Sequence, residues 1–140
     1  MPARLSRAGW YQEVSPVSPV LVLVVDDHES FRRAAVSVVE AAAGFIVAGA
    51  VATGEESLAA AEALKPDLIL MDINLPGMDG IEATRRLLAS ARPPAVVLLS
   101  TYDESELGGQ ARECGAIAYI AKSAFGTEQL VAAWALVAHA

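Results

Sequence analysis

The sequence predicts an α/β domain, a doubly wound parallel sheet of five strands with a helix after each strand. Two observations carry that expectation. Short apolar runs of strand length alternate with longer stretches that open on helix-capping residues. Four of the five runs also end at a residue type that phosphoryl chemistry uses, and strand ends of such a sheet gather in one crevice.

Residues 1–19 read as a flexible N-terminal extension, mixing Arg, Ser, Gly and Pro around the pair Trp10-Tyr11. That pair could cover an apolar patch or contact a partner. The first strand, Val20–Val25, runs into Asp26 and Asp27, and Ser30 precedes a helix from Phe31 to Ala43 that Gly44 stops. The second strand, Phe45–Val51, ends at Ala52 and Thr53; Thr53 with Glu56 has capping-box spacing, and Lys65-Pro66 closes the helix that follows. The third strand, Leu68–Met71, runs into Asp72. Asp79 with Glu82 then opens the third helix, and Arg92-Pro93-Pro94 separates it from the fourth strand, Val96–Leu99, which runs into Ser100. Asp103 with Glu106 marks the fourth helix. Gly108 and Gly109 within it cost about 1 kcal/mol each relative to alanine, so this helix is expected to be the least stable or to begin late. The fifth strand, Ala118–Ala121, leads into Lys122, and a last helix runs from about Thr127 to the end. Val131 to Ala140 carries almost no charge on any face. Such a helix is expected to be covered, by a second subunit, the N-terminal extension or a following domain.

A chain of 140 residues suits one domain with its own core, here residues 20–140. Alanine supplies much of the 54% apolar content, and no stretch approaches the roughly 18 apolar residues of a spanning helix. Polar residues and prolines interrupt any signal-peptide core near the N-terminus. The net charge of −7 argues against direct binding to nucleic acid. A single cysteine, Cys114, fits a reducing compartment. A soluble cytoplasmic domain without membrane attachment is expected.

Asp26, Asp27 and Asp72 would meet at the strand ends. Three carboxylates without a cation repel, and some would have to protonate. Mg²⁺ resolves that conflict, since it takes carboxylate and carbonyl oxygens together with water and phosphate oxygens. Asp72 is the nucleophile candidate, because Lys122 and the metal would hold a phosphoryl group over a single carboxylate. Ser100 could donate a hydrogen bond to that group, with Thr101 as the rival hydroxyl. The loop Asn74-Leu75-Pro76-Gly77-Met78-Asp79-Gly80 turns tightly, and the Asn74 backbone carbonyl can reach the cation. His28 could ligate, but Mg²⁺ prefers oxygen, and a solvent-facing His at a helix start is commoner. Tyr119 taken alone reads as strand packing, and each lone Asp as a helix cap.

The sequences Val-Val-Asp26-Asp27-His, Leu-Met-Asp72-Ile-Asn-Leu-Pro-Gly-Met-Asp-Gly-Ile-Glu-Ala, Leu-Leu-Ser100-Thr-Tyr-Asp-Glu and Gly115-Ala-Ile-Ala-Tyr119-Ile-Ala-Lys122 resemble the receiver domain of bacterial two-component response regulators, NarL/LuxR type. The resemblance covers about residues 20–138. It implies a flavodoxin-like sheet of order 2-1-3-4-5. It also implies that Asp72 accepts phosphate from a sensor histidine kinase, with Asp27 ligating Mg²⁺ directly, Asp26 mainly through water, and the Asn74 carbonyl as a further ligand. By the same resemblance Lys122 binds the phosphoryl group and Ser100 and Tyr119 form a switch pair. Asn74 and Tyr102 occupy positions that influence phosphate lifetime. Phosphorylation would reshape the face made by the fourth helix, fifth strand and fifth helix, a surface for homodimer contact alongside the apolar last helix. Such a domain is not an enzyme in the usual sense, though it catalyses its own phosphorylation and dephosphorylation.

Several features depart from the pattern. Ser123 stands where many receivers have proline. The Gly108-Gly109 pair and the uncharged last helix alter the face that signals. A DNA-binding helix-turn-helix domain, through which such regulators control transcription, is not among these residues, so the chain reads as an excerpt of a longer regulator or as a stand-alone receiver. Two alternatives of other classes stay open here. One is a protein-binding module that switches without phosphate. The other is a Mg²⁺-dependent aspartyl-phosphate phosphatase of the dehalogenase-like kind, which usually has Asp where Asn74 stands.

Overall fold

The computed structural model describes residues 18–101 and 109–138. The expected capping pair Asp103 and Glu106, and Tyr102, Gly108, Trp10 and Tyr11, lie outside these residues. Five parallel strands, β1 (Val20–Val25), β2 (Phe45–Val51), β3 (Leu68–Asp72), β4 (Ala95–Ser100) and β5 (Ala118–Ala121), form one sheet in the order β2-β1-β3-β4-β5. The intervening helices are α1 (Glu29–Ala41), α2 (Gly54–Leu64), α3 (Gly80–Leu88), α4 (Gly109–Glu113) and α5 (Thr127–Ala138). A short 3-10 turn, Lys122–Ala124, leads from β5 toward α5. This is the flavodoxin-like doubly wound topology, with its switch point between β1 and β3.

Alternate residues of each central strand feed two separate cores. Leu23, Val25, Ile69, Met71, Val96 and Leu98 pack beneath Ala83 and Leu87 of α3 and Ala111 of α4. Val22, Val24, Leu68, Leu70, Val97 and Leu99 face the other way, against Ala35 and Val39 of α1 and Leu130 and Ala133 of α5. Covered on both faces, the strands read as continuous apolar runs with no polar alternation, as parallel strands do. The register β1–β2 slips between Val22 and Leu23, where Ala48 is the extra residue on the edge strand.

Two capping expectations hold. Thr53 Oγ1 accepts the Glu56 N–H at 3.0 Å while Glu56 Oε1 accepts the Ala52 N–H at 3.0 Å, and Asp79 Oδ1 accepts the Glu82 N–H at 2.9 Å. Lys65, at φ 52°, ends α2 in the left-handed conformation, and the proline after it prevents continuation. The first helix is a correction. It begins at Glu29 with His28 in the cap position, so Ser30 lies inside it, and it ends at Ala41 before reaching Ala43. The physical reason is Asp26, whose Oδ1 accepts the His28 N–H at 2.8 Å and so turns the chain into the helix earlier than the Ser30 signal indicated. Among the described residues α4 covers Gly109–Glu113, and the expectation of a late start falls on residues outside them. The outer side of α5 stands open, with Val131 49% and Leu136 51% exposed, so the described residues supply no cover for it.

Candidate functional site

The switch point brings the polar strand ends together. Asp26 follows the last residue of β1 and Asp72 is the last residue of β3; each is 1% exposed. Asp27 is the more open neighbour, at 28% exposure of its side chain. Lys122, just beyond β5, reaches back so that its Nζ lies 2.6 Å from Asp26 Oδ2 and 3.3 Å from Asp72 Oδ2. Ser100 ends β4, is fully buried, and pairs in register with Ala121, the residue before Lys122. Tyr119 pairs with Leu98 and packs against the α3–α4 core. The structure therefore collects Asp26, Asp27, Asp72 and Lys122 in direct contact range, and sets Ser100 at the same end of the sheet.

Local backbone geometry holds this arrangement. Asn74 N–H donates to Asp72 Oδ1 at 3.1 Å, and Leu75 and Gly80 N–H both donate to the Ile73 carbonyl, at 3.1 and 2.9 Å. Gly80 lies so close to the Asp72 carbonyl that a Cβ there would collide with it. Gly77 takes a φ of +71°, which favours glycine, and lies against the Glu55 carboxylate, whose Oε2 accepts the Met78 N–H at 3.2 Å. Arg32 Nη1 donates to the Asp26 carbonyl at 2.7 Å.

The electrostatics are strained in one direction. Burial, then the neighbouring Asp26 charge, raise the Asp72 carboxyl from 3.8 to about 6, against the opposing pull of Lys122 and of the Asn74 N–H. One ammonium faces three carboxylates. Oδ2 of Asp26, Oδ1 of Asp27 and Oδ2 of Asp72 are buried and accept no aligned hydrogen bond, although Lys122 makes ion contacts with the first and last. Ligand atoms of Asp26, Asp27, His28 and Asp72 all lie within 4.8 Å of one another. An oxygen-rich, under-compensated cluster of this size fits a hard divalent cation. His28 Nδ1 sits 3.3 Å from Asp27 Oδ1 with its side chain 69% exposed. An open groove of about 440 Å³ lined by Glu29, Arg32, Arg33, Val36, Ser37 and Ala50 contains none of the carboxylates at the sheet end and not Lys122.

Two contacts escaped the reading of the sequence. Phe31 on the first turn of α1 places its ring 4.6 Å from Lys122 Nζ, and Arg32 grips the Asp26 carbonyl. Both were legible only as helix residues: nothing in the spacing of Phe31 points at a strand end about ninety residues further along the chain, and nothing in that of Arg32 points at a backbone carbonyl six residues earlier.

A family model of the response regulator receiver domain matches residues 22–135, most of the chain. The chain belongs to the response regulator receiver family. Among similar receivers, the response regulator GacA of Pseudomonas viridiflava is 40% identical over 118 residues, covering 84% of this chain and 55% of that protein. The response regulator UvrY of Escherichia coli O157:H7 is 34% identical over 103 residues, covering 74% and 47%. The chain thus spans about half the length of the curated relatives it matches. The signal receiver domain of the putative response regulator NarL from Mycobacterium tuberculosis superposes with a TM-score of 0.78 at 31% identity, covering 85% of this chain and 96% of that one. A LuxR-family two-component response regulator from Aurantimonas sp. SI85-9A1 does so with a TM-score of 0.78 at 30% identity, covering 87% of each. This receiver domain has NarL/LuxR-type neighbours, and its role lies in two-component signalling.

Proposed function

We propose that this receiver accepts a phosphoryl group on Asp72 from a sensor histidine kinase. The observation that carries the reading is a buried carboxylate at the end of a central strand, flanked by a carboxylate pair and an ammonium within 3.3 Å. A carboxylate oxygen of Asp72 attacks phosphorus. The bond from phosphorus to the donor atom breaks, and its electron pair leaves with the donor, an imidazole nitrogen of the kinase or an acyl oxygen of a small donor. Asp27, Asp72, the Asn74 carbonyl and, through water, Asp26 would hold Mg²⁺, which when bound supplies positive charge to the phosphoryl oxygens. Lys122 leaves Asp26 for a phosphoryl oxygen, and Ser100 donates a hydrogen bond to another. The domain thereby promotes its own phosphorylation, and water attack on the acyl phosphate reverses it.

The same reading extends to the output. Ser100 moves toward the phosphoryl group, Tyr119 follows, and the α4-β5-α5 face changes shape and pairs with a second copy. Residues 20–140 act as the receiver unit. The partner is a cytoplasmic kinase domain, and the controlled process is transcription through a DNA-binding domain outside this sequence; the receiver itself does not touch nucleic acid. No helix among the described residues is long and apolar enough to cross a membrane.

The deciding experiment is intact-protein mass after incubation with acetyl phosphate, with and without Mg²⁺, beside Asp72→Asn. A single Mg²⁺-dependent phosphoryl adduct, absent from the variant, is expected. No adduct under any condition would overturn the acceptor assignment and leave a receiver that works by protein contact alone.

A further inference from the structure

Lys122 has two kinds of partner, carboxylate oxygens and an aromatic ring. Its Nζ contacts the oxygens of Asp26 and Asp72 and also stands over the Phe31 ring, 4.6 Å from the centroid. That distance is inside the range of about 6 Å at which a ring quadrupole attracts a cation, and the Lys122 side chain is only 11% exposed, so water screens the attraction little. Phe31 is itself braced. Its ring packs at 6.5 Å between centroids against Phe125, which follows the 3-10 turn that begins at Lys122. Its backbone sits on the first turn of α1, whose start is tied to Asp26 through the His28 N–H and through Arg32. The residue that grips the ammonium therefore also sets where the ring stands.

We propose that Phe31 is a positioning residue for Lys122, its ring face holding the ammonium over Asp72 during phosphoryl transfer. The inference rests on the acceptor reading of Asp72. In that reading Lys122 must exchange Asp26 for a phosphoryl oxygen. A carboxylate or amide in the ring's place would compete as a directional partner, and an aliphatic side chain would exclude water without attracting the charge. A ring face attracts it without fixing any N–H direction, so the ammonium can swing between oxygens while remaining over the site. Ser123 stands where many receivers carry proline after the lysine, and the Phe31–Phe125 contact supplies a restraint on this turn from outside it.

The test compares Phe31→Leu, which keeps apolar bulk, with Phe31→Tyr, which keeps the ring face, each in the native and the Lys122→Ala background. The loss of the cation–ring attraction predicts that Phe31→Leu slows phosphorylation by acetyl phosphate at saturating donor and Mg²⁺ by about tenfold. Mg²⁺ affinity should be unchanged, and Phe31→Tyr should retain the native rate. In the Lys122→Ala background Phe31→Leu should cause no further loss. Equal slowing in both backgrounds would show a packing role and overturn the proposal, as would a Leu variant with the native rate. A second readout needs no phosphate. The Lys122 Hε resonances of the donor-free protein should be shifted upfield by the ring current and return toward ordinary lysine positions in Phe31→Leu. If the native protein takes up no phosphate but shows that shift, the acceptor reading fails while the ring–ammonium contact stands; an ordinary Lys122 shift in the native protein overturns the positioning role.

Discussion

Asp72, the proposed acceptor, is a residue whose buried charge opposes folding. Its carboxyl, raised from 3.8 to about 6 by burial and then by Asp26, binds its proton more tightly in the fold than in the unfolded chain. The sign follows directly: the fold is favoured as pH falls from about 6 toward about 4, and above pH 6 the buried charge costs roughly 3 kcal/mol. Asp72→Asn should therefore raise the urea-unfolding stability of the protein in chelator at pH 7, by about 1–3 kcal/mol, and the gain should shrink toward pH 4.5. A native-minus-variant difference independent of pH would refute this. In the proposed mechanism the same titration governs chemistry, since only the carboxylate attacks phosphorus. The rate of phosphorylation at low Mg²⁺ should fall about tenfold per pH unit below pH 6, and saturating Mg²⁺ should move that fall to lower pH, read from initial rates across a buffer series. Gly80 is the second sensitive position at this scale. Gly80→Ala would drive a Cβ into the Asp72 carbonyl and should lower stability by about 3 kcal/mol or more, measured by thermal unfolding.

The elements were mostly legible because each has a local cause. Thr53 with Glu56 and Asp79 with Glu82 satisfy helix N–H groups through their own side chains, and the strands are apolar runs of the right length. Thr53→Ala should remove the cap of α2 and cost about 1 kcal/mol in denaturant unfolding while phosphate uptake continues at the native rate. The start of α1 was misread for an equally physical reason. Ser30 has the chemistry of a cap, but the Asp26 side chain captures the His28 N–H first, and that carboxylate is oriented by the site rather than by the helix. Phe31 likewise reads as one apolar residue on a helix. Its place over Lys122 exists only because α1 packs on the same face of the sheet as α5, beside the end of β5.

At the scale of the molecule, the feature with the clearest consequence is the open apolar side of α5. Val131 and Leu136 stand half exposed on a helix with Glu128 as its one charged residue. A phosphorylation-driven dimer built on this surface should be lost in a Val131→Glu, Leu136→Glu double variant that still takes up phosphate normally. Light scattering with and without acetyl phosphate reads the outcome, and a variant that dimerises as the native protein does would place the interface elsewhere.

By itself the sequence determined the number and order of strands and helices, the polar residue at four of the five strand ends, and, through the resemblance its motifs carry, the family and the strand order, because these depend on short-range patterns of burial, capping and motif spacing. Tertiary structure decided the rest. The 2.6 Å contact of Lys122 with Asp26, the proton affinity of Asp72, the aromatic face beside the ammonium and the uncovered side of α5 all arise where segments far apart in the chain meet. Distances and dielectric surroundings of that kind are properties of packing, and no local pattern of residues encodes them.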